Sequence, residues 1–181
     1  MQRVETSIPG VTVLRSPVFR DSRGYFQEIY NRKTLIEVGI DLDWKQDNLS
    51  VSQKNVLRGL HYQIVEPQAK LVRVVRGAVL DVAVDIRKSS LTFGQHVSVE
   101  LKAGDGQAFL IPAGFAHGFV ALEPDTTFLY KVDRYYSPKS ERTILWNDPA
   151  LGITWPVSAE DAIVSAKDQL GAPLATAEVF S

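Results

Sequence analysis

Turn-forming residues interrupt this chain so often that no long regular element fits between them. Pro9-Gly10, Pro17, Gly24, Pro67, Gly77, Gly94, Gly104, Gly106, Pro112, Gly114, Pro124, Pro138, Pro149 and Pro156 punctuate it at short intervals. A typical globular helix needs about 8–20 residues, whereas a strand of roughly 5–6 is complete between two such marks. The intervening runs are rich in Val, Ile, Leu and Phe, many at every second place, which is the period of a strand. Segments 11–14, 25–30, 43–52, 56–63, 70–75, 79–86, 95–101, 108–111, 118–122 and 127–134 are therefore read as strands. A series of this kind favours an all-β sandwich or barrel.

Helix is scarce. Asn31 is suited to cap a short turn over 34–38 that stops at Gly39, and Ser158-Ala-Glu-Asp161 resembles a capping box opening a second. Both are expected at the periphery. No repeat, low-complexity tract or shift in composition marks a linker, so residues 1–181 read as a single domain whose segment after about residue 147 packs back over the β core. In the hairpin around Gly77, strand alternation puts Leu80, Val82, Val84 and Ile86 on one face and Asp81 and Asp85 on the other. The plain expectation is an antiparallel sheet whose aspartate face is wet.

Lys+Arg 20 against Asp+Glu 21 leaves a net charge of -1 with no basic run, which excludes a protein that binds nucleic acid by neutralising many phosphates. At 45% hydrophobic residues, a chain of this length hides roughly 70% of its unfolded surface, enough for one sizeable core. Cys 0 removes disulfides, thiolate nucleophiles and sulfur-based zinc sites. No apolar stretch approaches the ~20 residues that span a bilayer, and Met-Gln-Arg-Val-Glu-Thr does not open a secretory signal. The expectation is a cytoplasmic protein without a membrane partner.

The stretch Gly106-Gln-Ala-Phe-Leu-Ile-Pro112-Ala-Gly114-Phe-Ala-His117 resembles the second signature of the cupin superfamily, a double-stranded jelly roll. Physically it is a strand ending in a Pro-x-Gly turn that redirects the chain and aims His117 into the barrel mouth. The first cupin signature supplies a His-x-His pair and a carboxylate for a metal. Here the run is Arg58-Gly59-Leu60-His61-Tyr62-Gln63 followed by Lys70, so one His, an amide and an ammonium stand in those places. That set does not suit a transition metal, and a metal-free site is expected. His61 can take a proton near neutrality, Lys70 supplies a fixed charge, and Tyr130, Tyr135 and Tyr136 carry phenolic protons. Such groups suit proton abstraction beside a carbonyl, with a cation holding the enolate oxygen.

Asp21-Ser-Arg23-Gly24-Tyr-Phe26-Gln-Glu28, Gln46-Asp-Asn48-Leu-Ser50, Asn55-Val-Leu-Arg58-Gly-Leu-His61-Tyr-Gln63, Asp81-Val-Ala-Val-Asp85-Ile-Arg87, Phe93-Gly94, Pro112-Ala-Gly-Phe-Ala-His117-Gly-Phe and Ser165-Ala-Lys167-Asp168 together resemble the dTDP-4-dehydrorhamnose 3,5-epimerase family. The resemblance implies a homodimeric cupin-type jelly roll, with a few short peripheral helices and no cofactor. Its substrate would be a dTDP-4-dehydro-6-deoxy-glucose, inverted at carbons 3 and 5. It further implies His61 as base, Asp168 as its orienting carboxylate, Tyr130 as acid on the opposite sugar face and Lys70 as enolate stabiliser. Arg23, Glu28, Gln46, Asn48, Arg58, His117, Glu141 and Lys167 become substrate contacts, with Tyr136 stacking on the thymine. Arg23 and Arg58 suit the diphosphate, since a guanidinium meets two phosphate oxygens at once.

Bland readings stand beside these. Either Arg alone is compatible with a surface ion pair, Tyr130 with a core aromatic, Lys70 with an exposed strand lysine and Asp168 with a turn cap. His96 belongs to no constellation. Arg142 departs from the family pattern, where a small residue is expected, and 65–69 reads as a variable loop. Strict alternation along 56–63 also sets Arg58 and His61 on opposite faces, which one site cannot use unless Gly59 allows a bulge or Arg58 serves from the strand edge or a neighbouring subunit. Within the enzyme class, a 3- or 5-monoepimerase or a ketoisomerase has the same toolkit. Other classes are a nucleotide-sugar-binding cupin without catalysis and a metal-dependent oxygenase using His61 and His117.

Overall fold

A computed structural model describes all 181 residues. In chain order the strands are β1 (Gln2–Glu5), β2 (Thr12–Arg15), β3 (Val18–Asp21), β4 (Gly24–Gln27), β5 (Gln46–Ser52), β6 (Val56–Gln63), β7 (Lys70–Arg76), β8 (Ala78–Asp85), β9 (His96–Lys102), β10 (Gln107–Ile111), β11 (Phe115–Ala121), β12 (Thr126–Val132), β13 (Glu141–Thr143) and β14 (Ile163–Val164). The helices are α1 (Arg32–Glu37) and α2 (Ala166–Gln169), with one 3-10 turn at Pro149–Leu151. One sheet runs β1-β2-β10-β7-β12-β5 and the other β13-β6-β11-β8-β9, with β14 added in parallel beside β6. The expected all-β jelly roll is borne out.

Between the sheets lies an apolar core built from alternate residues of facing strands, among them Val72, Val74, Val79, Ala83, Phe109, Phe119 and Phe128. Phe119 and Phe128 stack across it with ring centroids 4.2 Å apart. The outer face of the first sheet is covered in part by α1 and the turn after it, through Leu35 and Ile40 against Leu14, Leu71 and Leu110. Asn31 caps that helix as expected, its side chain accepting from the Lys33 and Thr34 N–H groups.

The outer face of the second sheet corrects one expectation. Leu80, Val82, Val84 and Ile86 do share a face, but that face is covered by chain after residue 149, through Leu151, Trp155, Leu174 and Phe180. Asp81 and Asp85 therefore point between the sheets, and both are fully buried instead of wet. Asp85 is paired there by Arg87, Ser90 and Thr92. Burial works against its charge, yet those bonds hold its carboxyl well below the usual carboxylate range.

Ser158 does not open a helix. Its hydroxyl accepts from the Asp161 N–H at 3.1 Å, as a cap would, but the following Ile163–Val164 are captured by β6 and the turn cannot propagate. The helix forms at α2 instead, where the Ser165 hydroxyl accepts from the Asp168 N–H. The 127–134 run ends at Val132, so Tyr136 lies in a loop and does not continue the Phe128–Tyr130–Val132 alternation. Segment 43–52 is extended in a sheet only from Gln46, and 25–30 contributes only β4, paired with β3 outside both sheets. The short strands β1, β3, β13 and β14 lack enough alternation to be read locally. No helix is long and apolar enough to cross a membrane.

Candidate active site

His61, Lys70 and Tyr130 come together because three strands deliver them to one mouth of the barrel. β6 belongs to the second sheet and β7 and β12 to the first, so His61 faces Tyr130 across a cavity of about 290 Å³. Its walls also include Gln46, Asn48, Tyr62, Gln63, Gln68, Tyr136 and Glu141.

The conflict between Arg58 and His61 is resolved by a bulge. β6 uses the three steps from Arg58 to His61 where β11 uses the two from His117 to Phe119, so both side chains turn toward the space between the sheets. Gly59 sits at the bulge with φ 128°, and a Cβ there would lie 2.5 Å from the Gly118 Cα. Only glycine allows so close a backbone approach. Arg58 stands at the open edge, its Nε donating to Ser52 Oγ at 3.1 Å, outside the innermost cavity.

His61 Nε2 lies 2.7 Å from Asp168 Oδ1, and Asp168 Oδ2 accepts from the Gly59 N–H at 3.2 Å. The carboxylate is thus both a turn residue of α2 and the orienting partner of the imidazole. Burial opposes its charge, but bonds from His61, Gly59 and Ser165 keep its carboxyl below the ordinary range. With Nε2 committed as donor to a carboxylate, Nδ1 is the ring nitrogen left to accept a proton.

Lys70 is buried, not an exposed strand lysine, and its Nζ donates to the His61 carbonyl at 3.3 Å. Burial pushes its ammonium down to about 8, while the charges of Asp81 and Glu141 partly counter that. His117 is buried behind the site, Nε2 2.9 Å from Asp81 Oδ1, and Asp81 Oδ2 has no partner. Burial lowers the His117 imidazole against the pull of Asp81, with Lys70 and His61 lowering it further. Asp81 is thus a site-proximal residue that alternation alone conceals, since the packing of the first sheet on its face is what makes it interior.

Tyr130 is raised by burial; Arg58 acts against this and Glu141 with it. The cation acting on this phenol is Arg58. Glu141 accepts from the Tyr136 hydroxyl at 2.7 Å and pairs with Lys167. Although burial opposes its charge, these bonds hold the Glu141 carboxyl low, and Glu141 in turn raises the Tyr136 phenol. Gln46 Oε1 accepts from the Tyr136 N–H, and its Nε2 donates to Asn48 at 2.7 Å. Arg142, the departure from the family pattern, is tied away from the cavity to Glu178.

Of the expected substrate contacts, Gln46, Asn48, Tyr136 and Glu141 line this cavity, Arg58, His117 and Lys167 adjoin it without lining it, and Arg23 and Glu28 lie away from it. Arg23 sits on the β3–β4 hairpin, 87% exposed along its side chain and paired with Asp21. Glu28 follows that hairpin and accepts from Asn31. The hairpin pairs with neither large sheet, so nothing within one chain folds it over the pocket. No three His, Asp or Glu side chains are grouped as metal ligands.

Residues 5–176 match the family model described as dTDP-4-dehydrorhamnose 3,5-epimerase. An enzyme of that name from Salmonella typhimurium is 53% identical over 174 residues, covering 92% of this chain and 95% of the relative. The crystal structure of a dTDP-6-deoxy-D-glucose-3,5-epimerase from Legionella pneumophila in complex with dTDP-4-keto-L-rhamnose superposes with a TM-score of 0.94 at 44% identity, covering 98% of this chain and 94% of that one. A 3'-monoepimerase from Streptomyces bikiniensis in complex with dTDP-quinovose gives 0.89 at 35% identity, covering 96% and 88%.

Proposed function

The chain belongs to the dTDP-4-dehydrorhamnose 3,5-epimerase family and is an isomerase, and on that footing we propose that its pocket inverts carbons 3 and 5 of dTDP-4-dehydro-6-deoxy-D-glucose by two-sided proton transfer, without metal or organic cofactor. The carrying observation is that an imidazole and a phenol from opposite sheets face one cavity with a buried ammonium beside them. His61 Nδ1 removes the proton beside the ketone, the C–H electron pair moves into the enolate, and Lys70 holds the enolate oxygen. At ~4 Å and an effective dielectric of ~20 that pairing is worth about 4 kcal/mol. Tyr130 then protonates the carbon from the other face, and Arg58 stabilises the phenolate left behind. Solvent returns Tyr130 to the phenol and takes the proton from His61.

Arg58 would also take the diphosphate and Tyr136 the thymine, with Gln46, Asn48, His117, Glu141 and Lys167 completing the grip. Arg23 and Glu28 reach a pocket only if it is that of a second copy, which fits a homodimer. Supporting this, the hairpin residues Phe19 and Phe26 and the edge-strand residues Leu49 and Val51 leave large apolar side chains exposed. The whole chain would act as one domain in the cytoplasm.

The test is proton NMR in heavy water with the 4-keto sugar nucleotide. Deuterium should enter at both carbons and the L-configured product should form. Tyr130→Phe should slow inversion ~100-fold or more while exchange survives better, since His61 can return deuterium to the face it deprotonated. Exchange at a single carbon would assign a monoepimerase. Equal loss of exchange and inversion in Tyr130→Phe would move the donor elsewhere.

A further inference from the structure

Gln63 ends β6 two residues after His61 and shares its face, in the place where the cupin signature has its second histidine. Its side chain is almost fully buried, and its amide is spent on backbone alone. Nε2 donates to the Glu66 carbonyl at 3.0 Å and to the Tyr135 carbonyl at 3.3 Å, while Oε1 accepts from the Ser137 N–H at 2.7 Å. Both N–H groups are therefore committed, leaving no donor for a substrate. The residues held on either side, Tyr135 and Ser137, flank Tyr136. The Tyr136 ring is half exposed at the pocket, its hydroxyl donating to Glu141 and the residue's backbone N–H donating to Gln46 Oε1.

We propose that Gln63 is a positioning residue for nucleotide binding: its buried amide pins the backbone on both sides of Tyr136 and pre-organises the aromatic face on which the base stacks. The inference rests on the reading of Tyr136 as the thymine partner. A chemically versatile position near the base and the acid is thus used for loop geometry. A loop fixed before the ligand arrives does not have to be ordered on binding, so the pin acts on affinity and not on the proton-transfer step.

The experiment is titration calorimetry with dTDP on the full chain, alongside steady-state kinetics. Gln63→Met keeps the volume and removes all three bonds; dTDP affinity should fall ~10-fold and KM rise by a similar factor, while kcat stays within ~3-fold. In a Tyr136→Ala background the same substitution should change dTDP affinity less than ~2-fold, because the residue it acts through is gone. Gln63→Glu keeps the acceptor for Ser137 but has no donor when ionised and only one O–H when protonated, so it cannot hold both carbonyls and should lose affinity as well; it carries the test if the Met variant does not fold. Undiminished dTDP affinity in either folded variant, or an equal loss with and without Tyr136, would overturn the proposal. If the unaltered protein binds no dTDP, the reading of the pocket itself falls first.

Discussion

Replacing Asp168 by Asn tests the base directly, because it leaves shape nearly unchanged and removes the charge behind His61. In the protein that carboxylate lies 2.7 Å from His61 Nε2 and simultaneously 3.2 Å from the Gly59 N–H, in a buried position. As His61 takes a proton, an ion pair forms, worth about 4 kcal/mol at ~4 Å and a dielectric of ~20. A charge-assisted hydrogen bond is worth about 1.5–3 kcal/mol by mutational measures. An amide retains part of the bond and none of the charge, so the expected loss is about 2–4 kcal/mol, or roughly 30- to 900-fold in kcat. Orientation adds to this. If the Asn NH₂ faces His61 while its oxygen still accepts from Gly59, Nε2 must become an acceptor and the proton moves to Nδ1, which blocks the base. If the amide is flipped, its NH₂ opposes the Gly59 N–H. The assay is deuterium wash-in and turnover at saturating substrate, with a thermal melt as control. A folded Asp168→Asn variant with kcat within ~3-fold of the original would refute the role of the pair, as would intact wash-in.

Further outcomes follow from the environments of Lys70 and Gly59. Lys70 must be charged to hold an enolate, and burial brings its ammonium down to about 8, so activity should fall as pH rises through about 8. Asp81→Asn removes a charge that favours the ammonium and should move that alkaline limb to lower pH; a limb unmoved by the substitution, or one lying above ~10, would contradict the assignment. Because the unfolded chain binds this proton more tightly than the folded one, Lys70's contribution to stability rises between about 8 and its ordinary value of 10.5. Gly59→Ala would force a Cβ to 2.5 Å from the Gly118 Cα and 2.7 Å from the His117 carbonyl at φ 128°. A destabilisation of about 3 kcal/mol or more is expected, a fall of roughly 6–12 °C in Tm, and a melt within ~2 °C of the original would show that the bulge tolerates a side chain.

What the sequence determined is what depends on neighbours along the chain. Short apolar runs between turn residues gave the strands, Asn31 gave its helix cap, and the Arg-Gly-Leu-His and Pro-x-Gly-x-x-His patterns singled out His61 and His117. The tertiary structure decided which face of each strand meets water and which residues share a cavity. Period-2 alternation separates Asp81 from Val82 but is blind to what covers either side; the chain after residue 149 covers one face and the first sheet packs on the other, which makes Asp81 an interior partner of His117. Ser158 has the local chemistry of a cap, yet β6 claims the residues its helix would need. Arg58 and His61 reach the same interior space only because Gly59 lets β6 bulge against Gly118, a contact between distant strands. Arg23 and Glu28 fit the motif equally well, but their hairpin pairs with neither large sheet, and the motif alone does not bring them to this chain's own pocket. Local periodicity fixes which side chains point together along one strand; close packing between strands far apart in sequence fixes what they point at.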